Sequence, residues 1–533
     1  MKRNLFIIIT LLAQITIMNC GGGASGSSSS SSSLDSGTEY SGSNLEGGNI
    51  TQLNFNASNQ ASVNLGTVDD NAEYILEIYS YNTDGDTIAY QLGNSDENSA
   101  PPAKALTQDA TEDFHEMLRD AENDLDPNAI IDSEKVSKAL TKAATIGSER
   151  SFKVLNSFSG GSSYTTVTAT LRYETSHFKA YVDTRNASSM SDSEIATLCE
   201  NFDSVIDKEH EMFGTESDID DDGTFNILFT QAVNELGGSA GGIITGFFYA
   251  VDLFDTSVYS QSNETEVFYT FVPDPDGDNG VAISKEFALS NILPSVLPHE
   301  FQHMINFNSH YFVNDGSPEY SFLNEGLSHL AEDIYSLNSN DYMTTTGIEN
   351  PARVAGYLDS IDSLCVTCGA SLYQRGGSYL LLRYLYEQAQ KGNLSGAATG
   401  MELLQRLLDT DKTGVENIVS AAYDTSDVTT AFTDLMGQFG LAILVSDTGL
   451  IDDDRLTFDG IDLRAVQDDN RGTELQGPAI TSLSDFPMSE TVAGAAMSFV
   501  RLTGSQINAQ GGTIDINLTS GYSGGGYLIQ TGL

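Results

Sequence analysis

The sequence predicts an α+β protein with two lobes, and three observations carry that reading. Strand-like runs dominate from residue 151 to 272. Helical apolar periodicity takes over at 283 and lasts to about 446. Strand-like runs return towards both ends of the chain. Strands first and helices afterwards is the order of an α+β domain.

The elements follow in chain order. Lys2 and Arg3 precede an apolar run over 5–18, interrupted only by Thr10, Gln14 and Thr16. That run is short for a bilayer span and reads as a signal peptide, residues 1–19. Cys20 opens a Gly/Ser-rich linker, 20–48, with serines filling 27–33. The layout resembles a bacterial lipoprotein signal, in which Cys20 carries the lipid and the linker is a flexible tether. Ile17-Met18-Asn19 departs from the small residues usual before such a cysteine. The expected location is the bacterial cell envelope, outer membrane or cell surface, with secretion as the alternative.

An N-terminal region spans 49–146, with strand runs 50–65 and 72–81 and helical runs 103–124 and 133–146. The helical part is a connector or a prosegment-like element. A main domain over 147–465 begins with strands 152–158, 164–173 and 177–182 and a helix near 191–212. Strands 225–230, 243–250 and 266–272 precede its helices. Runs 497–502, 513–518 and 526–530, separated by glycines, form a C-terminal β module over 478–533.

Acidic residues outnumber basic ones 75 to 24, for a net charge of −51. With no basic stripe, a nucleic-acid partner is excluded. Four cysteines in 533 residues are too few for a disulfide scaffold. Cys365 and Cys368 form one CxxC, which lacks the second pair of a zinc knuckle. A local disulfide is the expected outcome in an exported protein.

The chemistry concentrates at His299-Glu300-Phe301-Gln302-His303, an HExxH motif. On a helix, residues four apart project from one face, so both imidazoles can reach one zinc ion. Glu300 lies beside them, placed to take a proton from an attacking water and return it to a leaving amine. A catalytic zinc needs a third protein ligand and an open position. Glu325, in Asn324-Glu325-Gly326 near the head of a second helical run, lies 22 residues after His303. Glu325 is the expected third ligand, with Glu332 as its nearest rival. The HExxHxxGxxH alternative fails, because Asn306 and Ser309 stand at the glycine and histidine positions and His310 is one place out of register.

Leu297 to Phe307 followed by Asn324-Glu325-Gly326 resembles the hyicolysin-type neutral metallopeptidases, over about residues 151–463. The resemblance implies a gluzincin fold, with zinc in a cleft between a mixed lobe and a helical lobe. It implies a secreted zinc endopeptidase acting on protein or peptide substrates. A strand edge beside the cleft, 243–250 or 266–272, would bind the substrate backbone. Two departures stand out. Pro298 precedes His299, so the helix is expected to kink or restart there. His329 occupies the place of the aspartate that orients a zinc histidine in thermolysin, leaving Asp333 or Glu332 to serve. Tyr373 is the candidate oxyanion donor, with Tyr379, Arg375 and His310 as competitors.

Asp218, Asp220 and Asp222 begin a DxDxDG turn, a candidate calcium site. Phe229 at its twelfth position excludes a complete EF-hand. Two rival functions complete the reading. One is an inactive surface lipoprotein that binds host or matrix proteins through a retained peptidase fold. The other is a closed structural zinc site, which needs four protein ligands where the motif supplies three.

Overall fold

Strands near the two ends of the chain pair with each other. The computed structural model describes residues 49–93, 112–129, 144–157, 162–240, 242–336, 349–467, 472–519 and 523–532. The signal peptide, Cys20, the linker and nearly all of the 133–146 helical run lie outside the described residues. From the N-terminal region come β1 (Ile50–Gln52), β2 (Gln60–Asn64), β3 (Glu73–Ser80) and β4 (Ile88–Leu92).

Residues 149–270 supply β5 (Glu149–Ser157), β6 (Ser163–Glu174), β7 (Phe178–Asp183), β8 (Phe225–Phe229), β9 (Gly246–Phe248) and β10 (Val267–Thr270). The C-terminal part adds β11 (Thr481–Ser482), β12 (Met488–Val492), β13 (Met497–Thr503), β14 (Thr513–Leu518) and β15 (Gly524–Gly532).

Two sheets, β1-β15-β3-β13-β11 and β12-β4-β14-β2, interleave strands from both ends of the chain. The period-two alternation of strands explains why β3 is buried on nearly every position. Tyr74, Leu76 and Ile78 enter the small core shared with β2 and β14. Ile75 and Tyr79 point the other way, into the main core. Between them Glu77 meets Gly440 of the helix Val428–Val445. That helix is apolar and long enough to cross a membrane, but 72% of its window is buried here and it serves as a core helix.

The main sheet has the order β5-β6-β7-β8-β10-β9. Its centre is parallel, β7 to β8 and β8 to β10, while β9 pairs antiparallel with β10 at the edge. Thus β9, within the run 243–250, is the sheet edge, and β10 is interior. A capping box at Ser191 starts the helix Asp192–Phe213, which links β7 to β8. The helices Leu293–Phe307, Ser321–Ala331, Asn350–Asp359 and Leu372–Gln390 follow, then those at Gly400–Leu408 and Gly414–Tyr423. The whole is a mixed α and β protein, as its order of runs predicts. Its strand β4 and its helices Gln231–Ala240 and Gly504–Ala509 are additions that the sequence patterning did not anticipate.

Candidate metal centre

The HExxH residues lie on the helix Leu293–Phe307. Phe301 anchors it, its ring 4.5 Å from Phe225 on the sheet and 5.9 Å from Phe202. The restart expected at Pro298 is not found, because the helix runs through it continuously. The irregular winding lies earlier, in a π turn over Ala288–Ile292, and Pro294 falls in the first turn, where no N–H is needed. Gly246 lets β9 approach the helix: a Cβ there would stand 2.7 Å from Val296 Cγ1 and 2.9 Å from Glu300 Oε1.

One helical turn brings the Nε2 atoms of His299 and His303 within 3.2 Å of each other. Glu325, in the second turn of Ser321–Ala331, faces both, its carboxylate 3.6 Å from His299 Nε2 and 3.5 Å from His303 Nε2. All three side chains are buried and offer ligand atoms within 4.8 Å of one another. Two nitrogen ligands about 2.0–2.1 Å from a tetrahedral zinc stand roughly 3.3 Å apart, so the spacing fits. Glu325 Oε1 also has no hydrogen-bond partner, as a ligand atom should.

The far side of each ring is held. His299 Nδ1 lies 3.0 Å from Glu332 Oε1, and His303 Nδ1 lies 2.7 Å from Asn324 Oδ1. Both partners accept, so each Nδ1 carries the proton and each Nε2 keeps its lone pair for a metal. Between the two residues named as orienters, Glu332 takes the task. Asp333 is engaged elsewhere, accepting from Tyr379 Oη at 2.6 Å and Arg383 Nη1 at 2.8 Å. Glu332 also holds His329 Nδ1 at 2.6 Å, and the trio His299, His329 and Glu332 is a second group able to take a metal. That trio uses only one histidine of the motif. Burial alone would raise Glu332, yet His329, Arg353 and His299 hold its carboxyl far below the usual carboxylate range.

Asn324, Glu325 and Gly326 thus have separate reasons. Asn324 orients His303 and Glu325 faces both imidazoles. Gly326 admits the helix Leu372–Gln390, since a Cβ would stand 2.8 Å from Leu382 Cδ1 and 3.2 Å from Ser378 Cβ.

Glu300 borders a cavity of about 560 Å³ together with His299, His115, His329, Arg353 and Arg375. Burial, with help from Glu325, pushes the Glu300 carboxyl up to about 7 against the pull of His299 and Arg119. Tyr373 stands off this cavity. Its side chain is 46% exposed and its ring covers Gly356. Among its competitors, Tyr379 gives its hydroxyl to Asp333, and His310 is buried facing Glu319 at 3.8 Å. Arg375 is the one that lines the cavity, with Nη1 3.4 Å from Glu325 Oε2. Cys365 and Cys368 form a disulfide just before this helix.

His115 is the residue that sequence reasoning missed. It comes from the helix Glu112–Asn123, outside the span of the main domain, and its Nδ1 lies 3.4 Å from Glu325 Oε1. No spacing ties it to the motif. The only signal was the amphipathic run that buries Phe114 and Leu118.

Asp218, Asp220 and Asp222 converge in a separate turn, also within 4.8 Å of one another. Positive φ at Asp221 and Gly223 lets the turn close. Lys179 Nζ lies 2.7 Å from Asp222 Oδ2, and Asp218 Oδ1 accepts from the amides of Asp222 and Gly223. Asp220 Oδ2 accepts from Thr265 Oγ1, while its Oδ1 is buried without a hydrogen-bond partner.

No protein-family model matches the chain. A neutral metalloprotease, ShpI of Staphylococcus hyicus, is 29% identical over 213 residues. That match covers 38% of this chain and 44% of the relative, so the chain spans less than half of that protein's length. The likeness is distant, and it agrees with a buried His/Glu cluster suited to a metal ion.

Proposed function

We propose that this chain is a zinc-dependent endopeptidase of the gluzincin type that hydrolyses extracellular proteins or peptides. One observation carries the reading: two imidazole Nε2 atoms and the Glu325 carboxylate converge, while Glu300 lines a cavity together with one of the two histidines, His299. His299, His303 and Glu325 hold the zinc, which when bound supplies Lewis acidity beside the scissile carbonyl. Glu300 accepts the proton of the attacking water and delivers it to the leaving amine. A buried carboxylate beside the attacking water suits both transfers, because it can take up the proton and give it back without leaving the site. Arg375, rather than Tyr373, donates to the oxyanion, supported by its place in the cavity wall. The edge strand β9 pairs with the substrate backbone.

The proposal includes export with a lipid on Cys20, a peptidase domain over 147–465, and calcium at Asp218, Asp220 and Asp222. The buried, unpartnered Asp220 Oδ1 supports the last of these. Glu300→Gln tests the mechanism. Casein hydrolysis should fall by about 100- to 10,000-fold while the zinc content stays the same. Undiminished hydrolysis in the variant would overturn the role of Glu300. A zinc-loaded wild type that cleaves no substrate, but retains host or matrix proteins, would favour the binding reading instead.

A further inference from the structure

The helix Glu112–Asn123 lies against the candidate centre and grips the sheet edge. In antiparallel pairing the N–H and C=O of one residue point to the same side, and alternate residues face outwards. Phe248, the last residue of β9, turns outwards here, and Ala250 opens the short 3-10 helix that follows, Ala250–Leu253. The Phe248 carbonyl accepts from Arg119 Nη2 at 2.5 Å, and the Ala250 amide donates to Glu122 Oε1 at 3.0 Å. The Phe248 carbonyl is a group that an extended peptide would use to add a strand to β9. Arg119 satisfies it instead, and Glu122 holds the first amide of the 3-10 helix just beyond, so the edge is closed at Phe248.

The rest of the segment is seated as firmly. Phe114 and Leu118 are buried, and the Phe114 ring lies 5.8 Å from that of Phe247. Further along, Tyr311 Oη donates to the Leu125 carbonyl at 3.0 Å, and the Asp255 amide donates to the Ala129 carbonyl at 2.8 Å. At the inner end His115 sits 3.4 Å from Glu325 and forms part of the cavity wall. The cavity therefore ends at His115 on this side of the candidate centre.

We propose that residues 112–129 are a built-in plug: the segment occupies the substrate-strand position at Phe248, the end of β9, and His115 closes the cavity beside Glu325. The partner of this surface is the chain's own segment, and its departure opens the cleft to an extended peptide. The proposal rests on the peptidase reading given above.

The test uses the full chain, with Arg119→Ala/Glu122→Ala to loosen the grip on the edge. Binding of a peptide hydroxamate, a zinc-directed inhibitor with an extended backbone, is followed by calorimetry beside the zinc content of each protein. The double variant should bind it about tenfold tighter than the wild type, the equivalent of about 1.4 kcal/mol. It should also cleave a quenched peptide faster. A synthetic peptide of residues 112–129 should compete with the inhibitor and restore wild-type behaviour.

Equal or weaker inhibitor binding by a folded, zinc-loaded variant would overturn the plug and make the helix part of the working site. If the double variant does not fold, His115→Ala, which leaves the grip on β9 intact, is measured in the same way. Faster cleavage by His115→Ala supports the plug, and slower cleavage at unchanged zinc content overturns it. Loss of the underlying peptidase reading looks different, because then wild type and variants alike fail to bind the hydroxamate even with zinc present.

Discussion

Asn324 and Glu332 stand behind the imidazoles that converge with Glu325, and each fixes which nitrogen of its imidazole faces a metal there. Asn324 Oδ1 at 2.7 Å and Glu332 Oε1 at 3.0 Å hold the Nδ1 protons of His303 and His299. Ser328 adds a second contact to His303 Nδ1 at 3.0 Å. Removing such a partner frees the ring to rotate and to change tautomer. Asn324→Ala and Glu332→Gln should each weaken zinc binding by about 10- to 100-fold, measured by competition with a chromogenic chelator. Glu332→Gln also strands His329, whose Nδ1 loses its carboxylate at 2.6 Å, so it should be the more damaging of the two. Zinc affinity equal to wild type in both variants would remove these residues from the account.

At the scale of elements, close approach decides the architecture around the centre. The helix Ser321–Ala331 can present Glu325 only if it lies against Leu372–Gln390, and Gly326 makes that possible. Gly326→Ala places a methyl against Leu382 and Ser378 in a fully packed region. It should destabilise the protein by about 1–3 kcal/mol in denaturant unfolding, with activity falling as the ligand helix shifts. An unchanged midpoint would mean that the two helices slide apart without cost.

This packing also explains what could be read from the sequence. The HExxH turn is local, and its spacing pairs His299 with His303, while Glu325 is reached from its place near the head of the next helical run and from the likeness of Asn324-Glu325-Gly326 to a gluzincin ligand helix. Pro298 does not restart the helix, because the packing around this buried helix holds it through the proline. Arg375 competed with Tyr373 because both lie in the first turn of one helix, and only the packing of Gly356 on the Tyr373 ring turns the tyrosine away. His115, and the pairing of β3 with β13 and β15, depend on contacts between residues hundreds of positions apart. No periodicity encodes those.

For the molecule as a whole, buried acids set the response to pH. Burial raises Asp252, Glu266 and Glu319 to about 7 and lifts Glu77 and Glu209 well above the ordinary glutamate range. Each keeps a proton in the folded state that the unfolded chain releases above about pH 4.5. The folded state then binds more protons, so stability falls as pH rises from about 4.5 through 7. Groups held low act in the opposite sense: Glu194, lowered to about 2 by Lys285 and Ser191, contributes above its unfolded value and is lost only in strong acid. The net charge of −51 adds self-repulsion that grows as carboxylates ionise and that salt screens. Protein stripped of metal should therefore melt at a higher temperature at pH 5.5 than at pH 8, with the gap narrowing in high salt. Stripping matters because acid also protonates histidine ligands and releases metal.

Glu77 isolates one contribution to this slope. Both of its carboxyl oxygens lack hydrogen-bond partners, and it faces Gly440 at the junction of β3 with the helix Val428–Val445. Glu77→Met fills a similar volume without a titrating group. It should stabilise the protein by about 1–3 kcal/mol at pH 8, and by less at pH 5, where both folded and unfolded chains approach the protonated form. A gain of the same size at both pH values would show that ionisation of Glu77 is not what strains the junction.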